Sequence, residues 1–205
     1  MSWLDGAASL TLKAAQRAGA ALATHAARRA ASVAPGARFL RGGSVANIAG
    51  RAELISVAHG CRIAGQLLVF RHGGTIRLGE WCYVGEGSRL WSAQRIDVGD
   101  RVLISHNVNV HDCDSHALDA AARHAQFREI ASTGHPQAPT GIAAAAVVIE
   151  DDVWIGFNSI VLKGSHIGAR SVIAAGSIVS GEVPPDSLYI GFAVKRKLNA
   201  DDRGK

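Results

Sequence analysis

Between Val147 and Pro184 the chain repeats every six residues. Ile149, Ile155, Val161, Ile167, Ile173 and Val179 are all aliphatic, and the residues four places after the first five are Val153, Ser159, Ser165, Ser171 and Ser177. A helix gathers one face at steps of three and four, and a plain strand at steps of two. A strict six-step with a small residue at a fixed offset fits neither. It fits a solenoid in which each hexad forms one flat side of a prism, the aliphatic filling the interior and the small residue sitting at the bend. Gly156, Gly164, Gly168, Gly176 and Gly181 fall between the aliphatics, where the chain must turn sharply.

The same step recurs upstream with shifts of phase. Ile48 and Leu54 keep it, then Val57, Ile63 and Val69, then Leu78, Val84, Leu90 and Ile96, and finally Val98, Ile104 and Val110. Such shifts mark corners or bulges that absorb extra residues, and Gly73-Gly74 is one. Periodicity lapses over residues 111–146, a stretch punctuated by Gly134, Pro136, Pro139 and Gly141. A long interruption in a compact coil points to function. The repeat is expected to end at Pro184-Pro185, which cannot donate backbone hydrogen bonds to another coil.

A chain of 205 residues, 48% hydrophobic and 19% charged, suits one substantial core. Aromatics at 5% suit a narrow prism of branched side chains. No apolar run approaches the ~20 residues that span a bilayer. Cys61, Cys82 and Cys113 are odd in number and far apart, which argues against a disulfide framework and for a reducing cytoplasm.

Charge is uneven. Residues 1–41 carry Lys13, Arg17, Arg28, Arg29, Arg38 and Arg41 against Asp5 alone, so the whole formal charge of +5 resides there. The body is neutral and implies no nucleic-acid partner. Residues 3–33 are alanine-rich with Leu4, Leu10, Leu12 and Leu22, and read as one or two helices. Asp5 and Arg17 argue against a signal peptide. Packing against the prism end or a neighbouring subunit is favoured over peripheral contact with acidic lipid. The expected division is a basic helical extension over 1–41, a coil over 42–192 with its loop at 111–146, and a tail over 193–205 that includes Lys195-Arg196-Lys197.

These hexads resemble the hexapeptide-repeat acyltransferases. The resemblance implies an all-β solenoid, a left-handed parallel β-helix, here with an N-terminal helical extension and one long inserted loop. The segment ISHNVNVHDCDSHALD, with the loop and VVIEDDVWIGFNSIVLKG after it, is similar to the sugar O-acetyltransferase branch, and most of all to polysaccharide and lipopolysaccharide O-acetyltransferases. By that resemblance His116 is the general base, acetyl-CoA is the co-substrate and no metal is needed. Trp154 then lies beside the thioester arm or acceptor, the Gly156 neighbourhood supplies a backbone N–H to the developing oxyanion, Ala175 and Ser180 line the pantetheine arm, and Lys195 meets the nucleotide phosphates. A homotrimer with inter-subunit sites and a sugar or glycan acceptor are also implied.

The chemistry stands beside the resemblance. Moving an acetyl group from a thioester to a hydroxyl needs a base that titrates near working pH, and histidine at about 6.5 is the nearest side chain. Asp114 and Asp119 are both candidates to accept the other ring N–H of His116 and fix its tautomer. Two departures stand out. The tail reads Gly191-Phe192-Ala193 where the family has Gly-x-Pro-Ala. Gly85-Glu86 stands where galactoside and maltose acetyltransferases place an acceptor-binding asparagine, so neither free sugar is the expected acceptor.

Two rival readings share the prism. His106 and His111, five apart, with His72 as a third ligand, resemble the zinc site of gamma-class carbonic anhydrases, where three imidazoles and an open position activate water. A non-catalytic scaffold needs no base at all.

Overall fold

The computed structural model describes residues 3–138 and 141–197. Short strands alternate with two-residue bends and stack into three sheets of seven, eight and six strands. Each turn of the coil places one strand in each sheet, and apart from the last strand every pairing is parallel. Three parallel sheets wrapped around one core fit a left-handed β-helix.

The register explains the hexad. Ile96 pairs with Ile76 and with Val147, and Ile149 pairs with Ile167, so like residues stack along the axis. Ile149, Ile155, Val161, Ile167, Ile173 and Val179 are buried, as are the offset serines Ser159, Ser165, Ser171 and Ser177. Each such serine bonds at a bend: Ser165 Oγ donates to Leu162 O at 2.7 Å, and Ser171 Oγ to Pro184 O at 3.0 Å. At about 25 cal/mol per Å2 of apolar surface removed from water, this continuous aliphatic column is the main stabilising contribution.

Several expectations need correction. The coil starts before residue 42, since Ser32–Val33 already pairs with Ile55–Val57 and Arg38–Phe39 with Arg62–Ile63. Ile48 is not an interior residue but 38% exposed. It follows the strand Ser44–Asn47, in which Asn47 turns inward to donate to Ala30 O at 2.8 Å, and strand alternation then sends its neighbour out. Pro184-Pro185 does not end the coil. The prolines occupy the corner against Gly168, where no ladder N–H is required, and Ser187–Ile190 still pairs in parallel with Val172–Ile173. Termination comes from Ala193–Lys197, which folds back antiparallel on Ser187–Ile190. The expected tail beyond residue 197 lies outside the described residues.

Helix α1 (Trp3–Arg28) lies over the first coil. Its contact is made by alanine: Ala27 is buried with the core and Ala23 packs against it, and Ala31, just beyond the helix end, is buried there too. Leu22 points to solvent, and the side chains of Leu4, Leu10 and Leu12 lie outside the described residues. Thr24 fastens the helix by accepting the Phe39 N–H at 2.9 Å. Among the described residues no helix is long and apolar enough to cross a membrane. The three cysteines are free and buried.

Candidate active site

The loop leaves the third sheet at Asn109–His111 and returns at Val147–Ile149 in the first. Its path is anchored at both ends. Asp112, completely buried, accepts the Ser92 hydroxyl and the N–H groups of Ala93, Gln94 and Arg95. Cys113 bridges antiparallel to Ala144, and the Asp114 N–H donates to Ala143 O at 3.0 Å. Between them the chain forms helix α2 (Ala120–Thr133), which begins where Asp119 accepts the Ala122 N–H and stops at Gly134 with φ +88°. The cap, the run Ala120-Ala121-Ala122 and the following glycine are helix signals present in the sequence, although the lapse of the six-step gives no hint of them.

His116 stands at the mouth of a cavity of about 120 Å3 between α2 and the third sheet, lined also by Phe70, His72, Trp91, His135 and Ile142. Phe70 stacks on His72, with ring centroids 5.5 Å apart, and meets Trp91 edge to face at 6.4 Å. The Trp91 Nε1–H donates to Gln66 Oε1 at 2.9 Å, which fixes that wall. Burial, with the His135 ring nearby, depresses the His72 pKa, burial also depresses that of His111, and burial raises the Cys113 thiol. His72 and Cys113, which line the cavity beside His116, are therefore uncharged at neutral pH.

Neither expected carboxylate orients His116. Asp119 is occupied as the cap of α2, and Asp114 is ion-paired with Lys163 on the neighbouring coil. The partner is Gln126 of α2, whose Oε1 lies 3.1 Å from His116 Nδ1. The Gln126 amide N–H group faces Ser115 O at 3.5 Å, which turns its oxygen towards the ring. An amide oxygen only accepts, so this contact is satisfied by the tautomer that carries the proton on Nδ1 and leaves the lone pair on Nε2. Sequence reading missed Gln126 because the contact exists only once α2 has formed.

The other expected residues fall at separate corners. Trp154 projects half-exposed from the second sheet, with its Nε1–H donating to Ser105 Oγ at 3.2 Å. Gly156 and Ala175 meet at the bend between the second and third sheets, where a methyl on Gly156 would sit 2.5 Å from Ala175 N. The Gly156 N–H is spent on Ile173 O at 2.8 Å and so cannot serve an oxyanion, whereas the Ala175 N–H has no acceptor among the described residues. Ser180 lies exposed after the third-sheet strand Ile178–Val179, on the same side of the prism as the loop. Lys195 sits on the terminal antiparallel strand. One chain therefore does not gather these residues around His116.

The zinc set is not assembled either. His106 stacks on Phe157 at 5.2 Å at the second corner, His111 stacks on Trp91 at 5.0 Å in the third sheet, and His72 stacks on Phe70. Among the described residues no three His, Cys, Asp or Glu side chains converge as metal ligands.

A parallel coil of six-residue sides, broken once by a loop that presents His116, is the scaffold on which the site is built. Residues 146–181 match the family model described as bacterial transferase hexapeptide (six repeats). The chain is 33% identical to a hexapeptide-repeat containing acetyltransferase of Vibrio cholerae, covering 64% of this chain and 67% of that one with a TM-score of 0.50. It is 32% identical over 134 residues to the galactoside O-acetyltransferase of Lactococcus lactis, covering 63% of this chain and 56% of that one. A Bacillus cereus N-acyltransferase, solved with dTDP-4-amino-4,6-dideoxyglucose and coenzyme A, shares the fold at a TM-score of 0.63 and 17% identity over 84% of this chain and 87% of its own. The chain belongs to the hexapeptide-repeat acyltransferase family. It spans 55% to 60% of the length of three of the curated relatives it matches.

Proposed function

We propose that the protein is an acetyl-CoA-dependent O-acetyltransferase, with His116 as general base and a hydroxyl of a sugar or a polysaccharide or lipopolysaccharide precursor as acceptor. The observation that carries this reading is the His116–Gln126 contact, which leaves Nε2 as the basic nitrogen beside an aromatic-walled cavity. In the reaction, Nε2 takes the proton of the acceptor hydroxyl as its oxygen bonds to the thioester carbon. The tetrahedral intermediate then expels the coenzyme A thiolate, to which the imidazolium returns the proton. Aromatic walls such as Trp91 and Phe70 suit the apolar face of a sugar ring.

The acetyl donor is proposed to lie along Ala175 and Ser180, where the unspent Ala175 N–H can bond an amide carbonyl of the pantetheine arm. Lys195 would meet the nucleotide phosphates as a point charge. His116 and the Gly156–Ala175 bend occupy different corners, which supports a homotrimer in which one protomer supplies the base and its neighbour the donor groove. Helix α1 is proposed as the extension that seals the first coil, and the coil from Ser32 to Lys197 as the catalytic body, in a cytoplasmic protein.

The test is a screen of nucleotide sugars, lipid-linked glycans and simple glycosides for thiol release from acetyl-CoA. Turnover with at least one hydroxyl acceptor is expected. No binding of coenzyme A and no thiol release with any acceptor would favour the scaffold reading.

A further inference from the structure

The two large surface grooves differ in how their charges are spent. The one on the first sheet, about 780 Å3, is lined by Arg101, Asp152, Arg170 and Glu150 among others. Two of its three arginines are neutralised and its lining also carries carboxylates: Arg101 forms a two-pronged pair with Asp152, and Arg170 does the same with Asp186, while Arg77 has no carboxylate partner among the described residues.

The second groove, about 820 Å3, runs between α1 and the first coil, and its charged lining is wholly basic: Arg17, His25, Arg28, Arg38 and Arg62. Among the described residues none of these arginines has a carboxylate partner. The walls are fixed. Thr24 ties α1 to Phe39, and Asn47 Nδ2 donates to the carbonyls of Ala30 and Arg51 at 2.8 and 2.7 Å. Arg62 is held in place by Nη1, which lies 2.9 Å from the carbonyls of Gly36, Gly60 and Cys61. Its remaining N–H groups have no acceptor among the described residues.

A concave surface of one sign focuses its field and raises the local concentration of counter-charge. Guanidinium forks match phosphate oxygens in pairs, and several around one groove suit a multiply charged anion better than a single carboxylate. We propose that this groove is a binding site for phosphate-bearing anions, with the diphosphate group as its smallest complete ligand. It lies at the first coil on the second-sheet side, away from the loop, so it holds whether or not His116 is the base. A soluble phosphate ester and an anionic lipid headgroup present the same chemistry.

The test uses the full chain. Calorimetric titration with inorganic pyrophosphate is paired with flotation on phosphatidylglycerol or phosphatidylcholine vesicles. Arg17→Gln/Arg38→Gln alters two exposed side chains and should leave the thermal unfolding midpoint unchanged. Arg77→Gln/Arg128→Gln, which alters two exposed arginines outside this groove, serves as the charge-matched control. Saturable pyrophosphate binding, weakened about tenfold or more by the double substitution and unchanged by the control, supports a soluble ligand. Binding only to phosphatidylglycerol vesicles, lost in the same variant, supports the headgroup. Binding of neither probe, or binding that ignores the double substitution, overturns the proposal.

Discussion

The buried carboxylate of Asp112 accepts the Ser92 hydroxyl at 2.6 Å. It also takes the N–H groups of Ala93, Gln94 and Arg95 at 2.7 to 2.9 Å, closing a corner of the coil where the inserted loop departs. Asp112→Asn would turn one acceptor into a donor facing other donors. A loss of about 3 kcal/mol is expected, read as a lower urea midpoint with an unchanged slope. An unchanged midpoint would show that the carboxylate is not what closes this corner.

Lys163 reaches from the coil to Asp114 and holds the entrance of the loop. Both side chains are partly exposed, so Lys163→Met should cost only about 1 kcal/mol of global stability. Cleavage by a non-specific protease within residues 112–146 should accelerate, because local opening needs less free energy than global unfolding. Equal cleavage rates in both proteins would contradict the anchoring role.

Gly156 and Gly176 should respond to alanine for different reasons. At Gly156 the added methyl meets Ala175 N at 2.5 Å and Ile173 O at 2.9 Å, both backbone atoms that cannot move aside. At Gly176 space is open and only the φ of +71° resists. A cost of about 2 to 3 kcal/mol is expected for the first and about 1 kcal/mol for the second, measured by chemical denaturation. The reverse order would show that backbone conformation outweighs packing at this corner.

His166 lies between Glu150 and Glu182, with its ring nitrogens 2.8 and 3.1 Å from their oxygens. Hydrogen bonding to Glu150 is the main cause that raises its pKa above the ordinary 6.5. A raised imidazole contributes stability that is complete below the ordinary value and lost as pH rises through the folded one. Glu150, held below its ordinary 4.5 first by the Ala169 N–H and then by His166, contributes above that value and loses the contribution as pH falls through the depressed one. The cluster is therefore most stabilising between about pH 4.5 and 6.5. Wild type should lose about 0.5 kcal/mol more than His166→Gln between about pH 6 and pH 9, a small effect because the imidazole is 41% exposed. Parallel stability curves would rule the cluster out.

The coil was legible because a period of six has no other simple solution, and Ile149 to Val179 occupy the places the repeat assigns them. Legibility fell where phase shifted. Ile48 faces outward because Asn47, a polar residue, takes the inward position to bond the turn that follows α1. His116 could be singled out from its surroundings, but its partner could not. Asp114 and Asp119 are nearest in sequence and belong to Lys163 and α2, while Gln126 becomes adjacent only through the fold. Asp112 also escaped notice, since nothing in the string HDCD tells a buried loop anchor from a solvated carboxylate.

The most direct measurement compares wild type with His116→Asn for coenzyme A affinity and acetyl transfer under identical conditions. Affinity within about twofold together with turnover reduced about 100-fold or more is expected of a residue that moves a proton and does not hold the donor. Turnover within a few-fold of wild type would contradict the assignment of His116 as the base.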